Sequence, residues 1–154
     1  MTHQDYMRQA LALAQEAAAA GEVPVGCVIV DKDGQVIGRG RNRREEEKNP
    51  LAHAELDAIA DACQRYGDWR LKGARLYVTL EPCPMCAGGI ISARIPEIYY
   101  GAKDAGFGAC GSILNLFEED FRHHPKIVGH ILEAECAALL RDFFAQVREK
   151  EMQT

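Results

Sequence analysis

The chain has no long hydrophobic run, no signal-peptide layout, no internal repeat, no low-complexity linker and no excess of positive charge. Each absence removes a class of protein. A membrane span needs roughly 20 apolar residues in succession, and the small-sided run Ala17–Ala20 does not approach that. Met1-Thr2-His3-Gln4-Asp5 lacks the basic-then-apolar layout of an export signal, so a cytoplasmic protein with no membrane partner is expected. A formal net charge of -5 argues against an indiscriminate coater of nucleic acid and leaves room for one local basic surface. With neither linker nor repeat in 154 residues, one domain spanning 1–154 is expected, large enough to bury its own core. Cysteine is not scarce, at six, but nothing suggests the oxidising setting of a disulfide framework. Cys83 and Cys86 stand at metal spacing. Cys27 and Cys136 fall inside apolar patterns and read as small core residues. Cys63 and Cys110 have no assigned part.

What is present alternates between helical and extended patterns. Thr2 and Asp5 resemble a capping box, followed by Met7, Ala10, Leu11, Ala14 and Ala18 at helical spacing and a stop at Gly21. Val25–Val30 is a strand apolar enough to be covered on both faces, Asp33-Gly34 a hairpin turn, and Val36–Arg41 the returning strand. Residues 42–50 read as a polar loop. A helix is predicted from near Ala52 to about Tyr66, a strand over Ala74–Leu80, a short helix from Pro84 to about Ala93 and a strand over Glu97–Ala102. A glycine-rich flexible loop over 104–111 leads to a helical turn at 112–117. A fifth strand at Ile127–Ile131 and a closing helix from Leu132 to Lys150 complete the chain. This order predicts one α/β domain with a mixed sheet sandwiched by helices.

The chemistry sits in two short stretches, His53-Ala54-Glu55 and Pro82-Cys83-Pro84-Met85-Cys86. Two thiolates and an imidazole suit zinc, and three ligands leave the fourth tetrahedral position open, the pattern of a catalytic ion. Both stretches open predicted helices, whose N-termini favour thiolates. Glu55, two residues from His53, does not share its helix face and is the free carboxylate, placed for general acid/base work. A lone C-x-x-C also fits a structural knuckle, with His123 or His124 as the fourth ligand, or a redox pair. Neither explains His53-x-Glu55. H-x-E with P-C-x-x-C is a known signature of zinc-dependent nucleobase deaminases.

Beyond that signature the chain resembles the bacterial tRNA-specific adenosine deaminases nearly end to end. The resemblance is carried by Glu22-Val23-Pro24-Val25-Gly26, Gly38 through Asn42, Leu76 through Glu81 and Ala87-Gly88. It continues in Gly108 through Ser112, Glu135 through Leu140 and Asp142-Phe143-Phe144. The resemblance implies a cytidine deaminase-like three-layer sandwich with a central mixed sheet of about five strands. It implies one zinc ion per subunit held by His53, Cys83 and Cys86, and a water activated by that zinc, with Glu55 as proton shuttle. The implied reaction is hydrolytic conversion of adenosine to inosine at the wobble position of a tRNA anticodon stem-loop, an arginine tRNA, by a homodimer. Asn42 matches the asparagine that hydrogen-bonds the flipped-out base, Val25 and Leu80 match pocket positions, and Ala54 is counted with the substrate-binding residues. Asp104 lies in a loop that meets the RNA in the family. Members often carry a lysine after Asp104; here the stretch reads Asp104-Ala105-Gly106-Phe107-Gly108, and Phe107 is offered as a stacking substitute.

Two rivals remain open at this level: a deaminase of a free base or nucleotide (guanine, cytosine or deoxycytidylate), and a catalytically silent zinc-binding subunit. The closing helix bears on the first. On a helical wheel Leu132, Cys136, Leu139, Leu140, Phe143 and Val147 form one stripe, expected to pack on the sheet. Phe144 lies off it near Arg141 and Arg148, so Phe143 is expected in the core, and Phe144 and Arg148 on the RNA.

Overall fold

The structure, a computed structural model, describes residues 1–153. Its helices are α1 (His3–Ala19), α2 (Arg44–Glu47), α3 (Ala54–Tyr66), α4 (Pro84–Ala93) and α5 (Glu133–Met152). Its strands are β1 (Gly26–Val30), β2 (Val36–Arg41), β3 (Arg75–Leu80), β4 (Glu97–Ala102) and β5 (Lys126–Val128). The five strands form one sheet in the order β2-β1-β3-β4-β5. It is antiparallel from β2 through β1 to β3 and parallel from β3 through β4 to β5, the mixed sheet expected.

Side-chain alternation along the central strands divides the interior into two layers. Cys27 and Ile29 of β1 join Leu76, Val78 and Ile98 against Ala54, Ala58, Ala62, Ala87 and Ile90 of α3 and α4. Val28 and Val30 face the other way, with Tyr77 and Tyr99, onto Tyr6, Met7 and Ala10 of α1 and Cys136 of α5. Every residue of β1 is buried, as a strand covered on both faces must be. Among the described residues no helix is long and apolar enough to cross a membrane.

Local chemistry fixes where the helices start and how closely they lie. At α1 the Thr2 hydroxyl accepts from the Asp5 N–H (3.1 Å) and the Asp5 carboxylate accepts from the Thr2 N–H (2.8 Å), a complete capping box. α3 lies almost on the backbone of β2. A Cβ on Gly38 would meet the Ala58 carbonyl oxygen at 2.5 Å, and one on Gly40 the Ala54 carbonyl oxygen at 2.3 Å. β2 is the edge strand, and its outward N–H groups at Arg39 and Arg41 donate to Asp61 (2.9 Å) and Asp57 (3.3 Å), one turn apart on α3.

Four expectations need correction. The polar stretch 42–50 contains α2, whose first amides are capped from a distance by Glu22 rather than by a neighbour. The helical turn predicted at 112–117 is only a 3-10 turn at Leu116–Glu118. β5 stops at Val128 because His130 and Leu132 take positive φ (68° and 53°), turning the chain into α5. The apolar stripe of α5 packs along its first half only: Cys136 is buried and Leu132, Ala137 and Leu140 are half-buried against that layer. Phe143 is partly exposed and belongs to neither apolar layer; its ring meets Phe144 edge-on at 5.4 Å.

Candidate active site

Two strands end beside two helix starts, and the site lies between them. Asn42 follows β2, and Glu81 and Pro82 carry the chain from β3 into Cys83. His53 is the N-cap residue of α3 and Cys83 that of α4, and neither uses its side chain for capping. Pro84 begins α4 without an N–H to satisfy. The side chains at both caps are therefore free for other work. The Ala54 N–H that His53 leaves uncapped is taken by Asn42 Oδ1 at 3.0 Å, while Asn42 Nδ2 donates to the Val23 carbonyl at 3.0 Å.

His53 Nδ1 lies 3.7 Å from Cys83 Sγ and 3.6 Å from Cys86 Sγ, and all three ligand atoms fall within 4.8 Å of one another. Zn–S bonds of about 2.3 Å and Zn–N bonds of about 2.0 Å at tetrahedral angles require N···S separations of roughly 3.5 Å. The donor set and its spacing thus fit zinc, with His53, Cys83 and Cys86 as the holders. Among the described residues the cluster of metal-type ligands holds only these three, so His123 and His124, which meet the carbonyls of Ile95 and Phe117 (each 2.7 Å), do not complete a four-ligand knuckle.

The electrostatics favour a thiolate at Cys83. The hydrogen bond with Cys86, working against burial, draws the Cys83 thiol down to about 4. The same bond, together with burial, pushes Cys86 up, and hydrogen bonding to Cys83 raises His53. Glu55 is buried, and burial pushes its carboxyl up to about 7 against the pull of its own backbone N–H. A carboxyl so placed can hold a proton or release one near neutral pH, which a proton shuttle requires.

The centre opens into a cleft of about 760 Å³. Val25, Asn42, Glu55, Leu80, Asp104, Phe107 and Phe144 all line it. Ala54 does not: its methyl is wholly buried in the α3 layer, and it serves the site through its backbone N–H. Arg148 lies exposed one turn beyond Phe144 and is not among the lining residues. Sequence reasoning missed Arg44, Lys103, Met85 and Leu140. Lys103 supplies a cation immediately before Asp104, where the family pattern suggests one after it. Arg44 stands beside the acidic run Glu45–Glu47 and by charge alone reads as a partner for it. In fact Glu46 is held by Arg41 (2.7 Å) and Arg43 (3.2 Å), which leaves Arg44 to the cleft.

The 104–112 segment is not a loose loop. The Glu81 carboxylate accepts from the N–H groups of Asp104 (3.1 Å), Cys110 (2.9 Å) and Ser112 (3.2 Å) and from the Ser112 hydroxyl. Burial opposes its ionisation, but those bonds outweigh it and hold the carboxyl below its usual range.

The cytidine and deoxycytidylate deaminase zinc-binding region matches residues 1–102. The tRNA-specific adenosine deaminase of Bacillus subtilis is 45% identical over 147 residues, 95% of this chain and 91% of that protein. That of Streptococcus pyogenes serotype M18 is 43% identical over 95% of this chain and 92% of its own length. A solved structure from work on A-to-I editing by tRNA:A34 deaminases superimposes with a TM-score of 0.84 and 45% identity, covering 88% of this chain and 99% of that one. A guanine deaminase from Bacillus subtilis matches less of both, with a TM-score of 0.64 and 40% identity over 70% and 72%. Site geometry and likeness along almost its whole length agree: the chain belongs to the family of tRNA-specific adenosine deaminases.

Proposed function

We propose that the protein hydrolyses adenosine to inosine at the wobble position of a tRNA anticodon, an arginine tRNA, with one zinc ion per chain. The observation that carries this reading is the convergence of three zinc-type ligands and one uncoordinated, buried carboxylate on a cleft walled by Val25, Leu80, Phe107 and Phe144. Bound zinc supplies the Lewis acidity that lets water give up a proton near neutral pH. Glu55 takes that proton and delivers it to adenine N1. Water oxygen adds at C6, and Glu55 then takes the second proton from that oxygen and passes it to the amino group, which departs as ammonia; C6 becomes a carbonyl and the carboxylate ends as it began.

Asn42 Nδ2 has a second hydrogen beyond the one given to Val23, suited to a purine N7 acceptor. Val25 and Leu80 offer apolar surface to the base, and Phe107 (70% exposed) and Phe144 (44%) stand free at the cleft for stacking. Asp104 is read as an RNA contact of the same wall, and Arg148 as a phosphate contact outside the cleft. We place the enzyme in the cytoplasm as a homodimer of one-domain chains, following its likeness to whole tRNA deaminases. Incubation with an unmodified tRNA carrying adenosine at the wobble position should yield inosine, read as guanosine on sequencing. Turnover of free guanine, cytosine or deoxycytidylate with no change in the tRNA would overturn the proposal.

A further inference from the structure

Two buried carboxylates take no part in the chemistry above. Glu22 is 1% exposed and Glu81 2%, and among the described residues neither forms a salt bridge. Burying a carboxylate without a cation is costly, and an apolar side chain serves packing better. What a carboxylate adds is two oxygens able to gather donors from separated points of a loop. Glu81 gathers four, from Asp104, Cys110 and Ser112. Glu22 takes the N–H groups of Glu45 (3.1 Å) and Glu46 (2.9 Å), one with each oxygen.

Each carboxylate thereby holds one side of the cleft. The segment gathered by Glu81 presents Asp104 and Phe107, and the turn gathered by Glu22 presents Arg44. The fit at Glu81 is close: a Cβ on Gly108 would lie 2.4 Å from its carboxyl carbon and from an oxygen. The segment wraps the carboxylate this tightly only because Gly108 has no side chain. Glu81 also stands two residues before Cys83, so the metal turn and the RNA-facing wall share one anchor.

We infer that Glu22 and Glu81 are positioning residues that set the two walls of the cleft against an RNA substrate, Glu22 through Arg44 and Glu81 through Asp104 and Phe107. The inference rests on the RNA reading above. Glu22→Gln and Glu81→Gln keep the side-chain shape but turn N–H groups toward donors that need an acceptor. Ser112→Ala removes one donor and leaves the rest.

The test uses the zinc-loaded full chain and an anticodon stem-loop with adenosine at the wobble position. Each Gln variant should raise KM on the order of tenfold while kcat stays within about twofold and zinc content is unchanged. Ser112→Ala should raise KM less, and the double Gln variant should show the product of the single effects, because the walls are on separate loops. Amides of Asp104, Cys110 and Ser112 should exchange hydrogen faster in Glu81→Gln, and those of Glu45 and Glu46 in Glu22→Gln. A lower melting temperature with unchanged KM would make both residues merely structural, and loss of zinc or kcat at unchanged KM would assign them to the metal centre. Should the Gln variants not fold, unchanged KM and exchange in Ser112→Ala would still sink the role of Glu81. A wild-type protein that leaves the stem-loop unconverted refutes the RNA function, and the exchange data then judge the anchors alone.

Discussion

Asn42 uses its amide in two directions inside the protein, accepting from Ala54 and donating to Val23. The sequence marks it as a base contact but carries no sign that it also caps α3, because that bond joins residues twelve apart in the chain. Asn42→Ala should therefore do more than weaken base recognition. It leaves the buried Ala54 N–H without an acceptor, at a cost of about 1–3 kcal/mol. Melting curves and stem-loop titration should both shift, with zinc retained; a variant that melts like wild type would remove the capping role. Glu55 is simpler. Glu55→Gln should keep the zinc and the fold and lower turnover by roughly 10²–10⁴. Single-turnover assays on zinc-replete protein check this, and near-normal rates would end the mechanism. His53, Cys83, Cys86 and Glu55 were legible because ligand type and spacing are written locally. Glu22 and Glu81 were not, since an acid beside an apolar strand looks the same whether it points to water or into a loop.

At the scale of elements, β2 and α3 form the pair on which the site depends. Gly40 touches the carbonyl of Ala54, which sits between the ligand His53 and the acid Glu55. Gly40→Ala has no room to relax without moving the start of α3. It should cost about 1–3 kcal/mol in stability and reduce bound zinc, measured by melting and elemental analysis together. Full zinc binding in that variant would show that α3 can retreat without carrying His53 away. Helix α5 asks for a different forecast from the one its periodicity suggests. Phe143 is outside the apolar layers, so Phe143→Ala should cost only about 0.5–1.5 kcal/mol, the worth of its edge contact with Phe144. Phe144→Ala should melt almost normally and bind the stem-loop more weakly. Helix identity was readable from the period of three to four, and strand identity from apolar, β-branched runs bounded by turn residues. The wheel failed past Leu140 because a wheel assigns a face but not the length over which the sheet continues beneath it. The early stop of β5 was likewise hidden, since positive φ at His130 and Leu132 has no signal in those residue types.

For the molecule as a whole, metal and fold are linked through the two helix starts that hold the ligands. Chelation of zinc should lower the melting temperature by roughly 5–10 °C, as expected when an ion well above its dissociation constant is withdrawn. Adding zinc back should restore it, and a melting curve indifferent to zinc would mean that α3 and α4 are fixed by packing alone. A chain of net charge -5 must meet RNA through local cations. Arg148→Ala should accordingly weaken stem-loop binding and flatten its dependence on salt; titrations at two salt concentrations decide this. The β2 margin works in the opposite sense, by refusing contact. Asp57 and Asp61 already occupy its outward N–H groups at Arg41 and Arg39. An extended peptide laid along that margin finds these two donors already taken. The sheet is thus self-terminating on this side, and the protein is guarded there against runaway strand-on-strand polymerisation during crowded synthesis.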